Sequence, residues 1–263
     1  MRRTPRPPKA PGPGPRREAQ GRGQGTVVRH GIARVLSKAG LASRTQAAAW
    51  VREGRVSVDG RVVYDPEHPV RTGVDEVCVD GRPLGSEARV YLALNKPRGL
   101  VTTASDEKGR DTVYRCFDGA GLPWVAPVGR LDQASEGLLL FTNDPAWAAR
   151  ITDPATGPDK TYRVQVEGVP GDESLAAMVA GLDEGGERLS AKSVALLKSG
   201  GKTSWLEVVL DEGKNRQIRR LAKAAGFPVL RLVRVAIGGL ALGELPKGGW
   251  RRLSDDEAAA LRG

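Results

Sequence analysis

Cysteine and histidine are nearly absent from this chain. Of 263 residues only two are Cys, at Cys78 and Cys116, and two are His, at His30 and His68. The cysteines have no metal-ligand spacing and imply no disulfide framework, which suits a reducing cytoplasm. So few histidines argue against a Ser/His/Asp triad or a His-based metal site. Both histidines read as solvated surface residues. Neither a metal nor a cofactor is expected. No window approaches the ~18 consecutive apolar residues of a membrane-spanning helix. The N-terminus is basic but lacks an apolar h-region, so it does not read as a secretory signal. The expected compartment is the cytoplasm.

What the chain has in excess is positive charge. The net charge is +10 and the pI about 9.9. Residues 1–29 carry eight Lys and Arg against Glu18 alone, with six prolines and five glycines. Without apolar periodicity this tail cannot bury enough surface to offset ordering entropy, so disorder is expected. A basic arm fits polyanion contact, and equally a solubilising tail. The hydrophobic fraction of 40% supports a packed core, either one large domain or a small one plus a medium one.

Residues 30–83 read as a small unit. Ile32, Val35 and Leu36 share a face of a short helix that Gly40 stops. Ser43-Arg44-Thr45-Gln46 matches a capping box for a second helix through Ala47, Trp50 and Val51 to Gly54. Val56–Val58, Asp59-Gly60 and Arg61–Tyr64 read as strand, tight turn, strand. Two helices and a hairpin resemble the S4 domain, a small RNA-binding fold. Arg34, Lys38, Arg44, Arg52, Arg55 and Arg61 outnumber Glu53 and Asp59 in the same stretch. They are the candidate phosphate contacts, which position RNA without reading sequence. The alternative is a solvated basic face. Trp50 is expected to pack between helix and hairpin rather than stack on a base. Residues 84–88 read as a linker.

Residues 89–263 form the larger unit. Strand-like runs recur at 90–94, 138–142, 162–166, 193–197, 204–210 and 230–235. Helical stretches lie near 146–151, 172–180 and 216–225. The order is not a regular β-α alternation, so the class is α+β with a mixed sheet rather than a doubly wound parallel sheet.

Chemistry concentrates in Gly129-Arg130-Leu131-Asp132, followed by Gln133–Glu136 and the apolar run to Phe141. Arg130 and Asp132, two residues apart in extended chain, share a face and can enter one cleft. The bland alternative is a loop ion pair. Asn143-Asp144-Pro145 then caps and starts a helix. The segment 129–144, GRLDQASEGLLLFTND, resembles the signature of ribosomal RNA pseudouridine synthases that carry an N-terminal S4 domain. Asn95-Lys96-Pro97-Arg98-Gly99 resembles the opening motif of that family. Lys160-Thr161-Tyr162-Arg163-Val164 resembles its K-x-Y-x-V element, and 212–221, EGKNRQIRRL, its last motif. Four ordered motifs plus the N-terminal unit cover roughly residues 30–255, a far stronger signal than one motif. Pro145 and Ser135 depart from the commoner glycine and threonine without touching the acid.

The resemblance implies conversion of uridine to pseudouridine, with Asp132 as the catalytic carboxylate. The N1–C1′ bond breaks, uracil turns, and C5 bonds to C1′. One carboxylate can act as nucleophile or stabilise charge at the sugar. Whether it attacks sugar or base, or takes a sugar proton, stays open. The base must leave its stack, and Tyr162 is implied to pack on it, with Ile218 as an apolar wall. Arg219 is implied as the ion-pair partner of Asp132, and Arg130 is the competing partner. Lys214, Arg216, Arg219 and Arg220 crowd the start of a helix for which Asn215 is the expected N-cap. The helix dipole disfavours cations there unless an anion sits nearby. Lys214, Arg216 and Arg220 are accordingly expected to hold RNA phosphates. Lys96 reads as structural or phosphate-binding rather than as a Schiff-base lysine.

The expected partner is ribosomal RNA. The last motif and Leu245–Trp250 look most like the large-subunit members, which implies 23S rRNA, with 16S rRNA as the alternative. A monomer without membrane contact is expected. A non-catalytic S4-type RNA chaperone or assembly factor is the alternative of another class, and the motif residues Asp132, Tyr162 and Arg219 argue against it. A glycoside hydrolase would need a second positioned carboxylate and would leave the basic surface without purpose.

Overall fold

One hydrophobic core in the N-terminal unit and three clusters packed about the sheet of the larger unit set the architecture. The computed structural model describes residues 29–262 apart from 73, 86–87, 105 and 107. The expected tail therefore lies outside the described residues, except Arg29, which instead begins a strand. Arg29–Gly31 pairs antiparallel with Pro69–Arg71. Two residues of the expected linker, 86 and 87, also lie outside, while Leu84 packs on the first core.

That first core joins Ile32, Val35, Leu36, Ala47, Val51, Val56, Val58, Val70 and Val77. The helices Ile32–Lys38 and Arg44–Arg52 supply its helical face. Ser43 Oγ accepts from the Gln46 amide at 3.1 Å, the serine half of the expected capping box. Asp59 and Gly60 both take positive φ, as a two-residue hairpin turn requires. The strands order as 61–62, 56–58, 77–79, 82–83 in one antiparallel sheet. Trp50 packs against this core with the Arg55 guanidinium 4.9 Å above its ring, as the sequence suggested.

The second unit is built on a nine-stranded mixed sheet. Its main path runs Ser193–Ser199, Thr203–Leu210, Lys160–Glu167, Val229–Ile237, Glu136–Thr142, Tyr91–Lys96, Trp250–Arg252. Glu136–Thr142 is buried along its whole length. Each of Leu138, Leu139, Leu140 and Phe141 adds roughly 1.5–3 kcal/mol of burial. One edge of this strand is shared. Glu136 and Gly137 pair in parallel with Val233 and Arg234, while Leu140–Thr142 pairs antiparallel with Ala126–Val128. The two neighbours diverge, and a cleft opens in the fork. Gly137 sits at the branch with φ +103, and a Cβ there would lie 2.2 Å from the Arg234 carbonyl oxygen. Only glycine permits that approach.

The two units meet at Asn143, directly after the central strand. Within the larger unit Asn143 is held by Arg89 Nη1, which donates to its carbonyl at 2.8 Å, and by the Val90 amide, which donates to its Oδ1 at 2.8 Å. Gly40, which ends the first helix with φ +77, backs onto the same carbonyl, and a Cβ there would sit 2.0 Å from it.

Candidate active site

Asp132 stands on the loop between Ala126–Val128 and Glu136–Thr142, and its side chain is partly exposed to the cleft. Its backbone is pinned from several sides. Thr102 Oγ1 donates to the Leu131 carbonyl at 2.7 Å. The Gly99 amide donates to the Gln133 carbonyl at 2.8 Å, and Gln133 Nε2 returns a bond to the Gly99 carbonyl at 3.0 Å. From beneath, the fully buried Lys96 ammonium donates to the carbonyls of Pro97, Asp132 and Ser135 at 3.1, 3.3 and 2.9 Å. Burial pushes this ammonium down to about 8, against the pull of Asp132, Cys116 and Glu136. Lys96 is therefore a brace for the loop, with no free face for phosphate.

Arg219, on the helix Gln217–Ala224, braces the same loop from another side. Its Nη2 donates to the Ala134 carbonyl at 3.1 Å and reaches Ser135 Oγ at 3.5 Å. Burial lowers its pKa, and Arg216 lowers it further; Asp132 opposes this and Arg98 adds to it. Arg219 thus feels the Asp132 charge without forming the ion pair implied by the motif. Arg216 forms that pair, with Nη1 3.6 Å from Oδ2 of Asp132. Arg130, the other candidate, lines the cleft but makes no ion pair among the described residues.

The reason lies one residue upstream of the helix Gln217–Ala224. Its N-cap is Arg216, not Asn215, and Arg216 is left-handed, with φ 50 and ψ 33. That conformation costs a non-glycine residue roughly 1 kcal/mol. It directs Arg216 across the cleft instead of along the helix. Gln217 secures the turn: its Oε1 accepts from the Lys214 amide at 3.0 Å, and its Nε2 donates to Glu212 Oε1 at 2.6 Å.

The cleft has about 230 Å³ of free space, and its lining includes Arg130, Asp132, Lys160, Tyr162, Lys214, Arg216, Ile218, Arg219 and Arg234. This is smaller than a drug-sized pocket, on the scale of a nucleobase and its sugar. Cations dominate the wall, and Asp132 and Glu212 are its carboxylates. The full chain matches a family model described as RNA pseudouridylate synthase over residues 90–224, and a model for the S4 domain over residues 31–76. The chain belongs to the RNA pseudouridylate synthases. As such it is an isomerase. It is 38% identical over 88% of its length to the ribosomal large subunit pseudouridine synthase B of Bacillus subtilis, covering 95% of that protein. It is 37% identical over 84% of its length to the Yersinia pestis protein of the same name, covering 72% of it. A crystal structure of a pseudouridylate synthase aligns with TM-score 0.62 at 29% identity, covering 89% of this chain and 99% of that one.

Several residues of this pseudouridylate synthase stand elsewhere than the motifs suggested. Arg220 faces away from the cleft, bound to Glu184 and Glu187 at 2.7 Å each, so the expected phosphate role gives way to holding the hairpin 182–189. Lys214 Nζ is shared between Glu212 at 3.1 Å and the Arg188 carbonyl at 3.1 Å, while still lining the cleft. In the N-terminal unit Arg34, Lys38, Arg44, Arg52 and Arg61 are exposed. Arg55 is engaged by Asp80 at 2.6 Å, so it is not a free phosphate ligand, whereas Arg44 makes only an exposed contact with Glu67 at 3.5 Å. Sequence reasoning missed Lys160 and Arg234. Lys160 lay inside a motif already noted, and Arg234 shares strand parity with the buried Leu232.

Proposed function

We propose that the protein isomerises a uridine of 23S ribosomal RNA to pseudouridine, with Asp132 as the catalytic carboxylate. The observation that carries this reading is the pinned loop. It holds one carboxylate, Asp132, in a cation-lined cleft beside Tyr162 and Ile218. Pre-organised charge of this kind acts on a reacting sugar without reorganisation cost. In this reading the flipped base packs between Tyr162 and Ile218, and Asp132 faces C1′. Arg216 pairs with the acid across the cleft, while Arg219 and Lys96 hold its backbone in place. Arg130 and Arg216, at the exposed rim, take RNA phosphates, and the exposed cations of the N-terminal unit extend that track. The names of the relatives from Bacillus subtilis and Yersinia pestis support the large subunit as the target. The test maps pseudouridine in ribosomal RNA from cells with and without the gene. Loss of one or more sites confined to 23S rRNA is expected; a lost site in 16S rRNA, or none at all, would refute the assignment.

A further inference from the structure

Arg234 and Lys160 are two cleft cations that serve neither the loop brace nor the Asp132 ion pair. Arg234 lies directly across from Tyr162 in the antiparallel pairing of Val229–Ile237 with Lys160–Glu167. Directly opposed residues share a face of the sheet. Lys160, two residues before Tyr162, shares it as well. All three line the cleft. Arg234 is only 6% exposed. Its Nε donates to the Leu138 carbonyl at 2.8 Å, but its buried Nη2 has no partner among the described residues. Lys160 feels Arg234, Asp159 and Asp211, and Asp159 is already bound to Lys192 at 2.8 Å. Burial lowers the Lys160 pKa, and Arg234 lowers it further. An unpaired buried guanidinium nitrogen weakens the fold, and such groups concentrate where a ligand completes them.

The position selects the ligand. Arg130 and Arg216 are the better-placed phosphate contacts, since both are accessible at the rim. Arg234 instead adjoins Tyr162, where the ring is to lie, and a uracil edge offers its carbonyl oxygens. While the ring is bound to the sugar those oxygens are neutral. When the N1–C1′ bond breaks, its electron pair stays on the ring and spreads from N1 to O2 and O4. Two cations beside the ring favour that anion over the neutral base, so their effect grows toward the transition state.

We propose that Arg234, backed by Lys160, seats the uracil ring as it leaves the sugar, with Nη2 donating to a ring carbonyl and stabilising its negative charge. This rests on the reading of the cleft as the uridine site. The step balances. C1′, left electron-poor beside Asp132, regains a pair from C5 once the ring has turned. The proton on C5 is released, and N1 takes one up.

The test uses an RNA on which the wild-type protein forms pseudouridine, made with uridine or 5-fluorouridine at the target. Fluorine withdraws electrons, so that ring carries negative charge more readily. Because fluorine replaces the proton lost at the end, the readout is single-turnover breakage of the N1–C1′ bond. Arg234→Gln should slow this about 100-fold on uridine, with RNA affinity nearly unchanged. The deficit should shrink at least fivefold on 5-fluorouridine. Equal deficits on both substrates would overturn the proposal. So would a loss confined to affinity and its salt dependence, which would mark a phosphate site. Should Arg234→Gln fail to fold by thermal melting, Lys160→Gln decides: a loss of about tenfold with the same substrate dependence supports the proposal, and an unchanged rate overturns it. A wild-type protein that forms no pseudouridine in any ribosomal RNA would refute the reading of the cleft instead.

Discussion

Replacing Lys96 with methionine separates what this residue does for the loop from what it costs the fold. The ammonium is fully buried, and burial moves its pKa from 10.5 to about 8. At 1.36 kcal/mol per unit, the charged form costs the native state about 3 kcal/mol at neutral pH. Methionine removes that cost but strips donors from the carbonyls of Pro97, Asp132 and Ser135. The Asp132 carbonyl keeps the Ser135 amide at 3.0 Å, so two acceptors are orphaned. Each orphan costs about 1–3 kcal/mol. The two effects largely offset, so Lys96→Met should shift the stability measured by urea unfolding by less than about 3 kcal/mol. The rate should respond differently. A freed loop misplaces the Asp132 carboxylate, and displacement of a catalytic group by about 1 Å can cost 100-fold. The assay is single-turnover release of tritium from RNA carrying 5-tritiated uridine, compared with urea midpoints of the same preparations. The pH dependence adds a sign. The unfolded state binds this proton more tightly than the native state. Wild-type stability should therefore rise between about pH 8 and 10.5, by about 1.4 kcal/mol per unit, a slope Lys96→Met lacks. Activity should fall through the same midpoint, since a neutral amine has two donors for three carbonyls. A Lys96→Met protein that turns over within threefold of wild type would refute the reasoning.

Asp132→Asn should lower the single-turnover rate by more than about 100-fold, the scale of several kcal/mol in the barrier, while RNA affinity stays near wild type; a variant retaining a tenth of the activity would remove Asp132 from its role. Arg219→Ala should slow turnover more than Arg216→Ala, because it removes the brace at Ala134 as well as a charge near the acid, whereas the Arg216 pair at 3.6 Å is partly exposed; the reverse ranking would show that the ion pair, not the loop brace, governs the rate. Gly137→Ala should destabilise by at least about 3 kcal/mol in urea unfolding, because backbone strain and a clash with Arg234 add; a variant as stable as wild type would show that the branch of the sheet yields freely.

Local signals carried most of what the sequence revealed. The Asp59-Gly60 turn, the Ser43 cap and the unbroken apolar run 138–141 each specify an element without help from distant chain. The helix Asp172–Ala180 has the expected bounds. Ala126–Val128 was not legible, because three residues containing a proline make no strand pattern; it forms by borrowing an edge of the central strand. The hairpin 182–189 and the strand Trp250–Arg252 are likewise too short to register alone. The helix Asp255–Ala260 was overlooked despite its capping box from Ser254 to Glu257. At the site, the motif named the residues but not their partners. Asn215 is the better cap by composition, yet the chain places Arg216 there in a left-handed turn, and this one-residue shift decides which arginine meets Asp132. Arg220 was misread because its acids, Glu184 and Glu187, arrive from a hairpin more than thirty residues away.

The contact between Gly40 and Asn143 has a bearing on how a target is chosen. Asn143 directly follows the seven-residue strand whose other end opens onto the Asp132 loop. At ~3.3 Å per residue that strand spans about 23 Å. If the exposed cations of the N-terminal unit hold RNA, its backbone-to-backbone seating at one end makes the strand a gauge between the held RNA and the uridine. Selection then needs few base contacts. On that condition a stem lengthened by a few base pairs should carry the right nucleotide past Asp132.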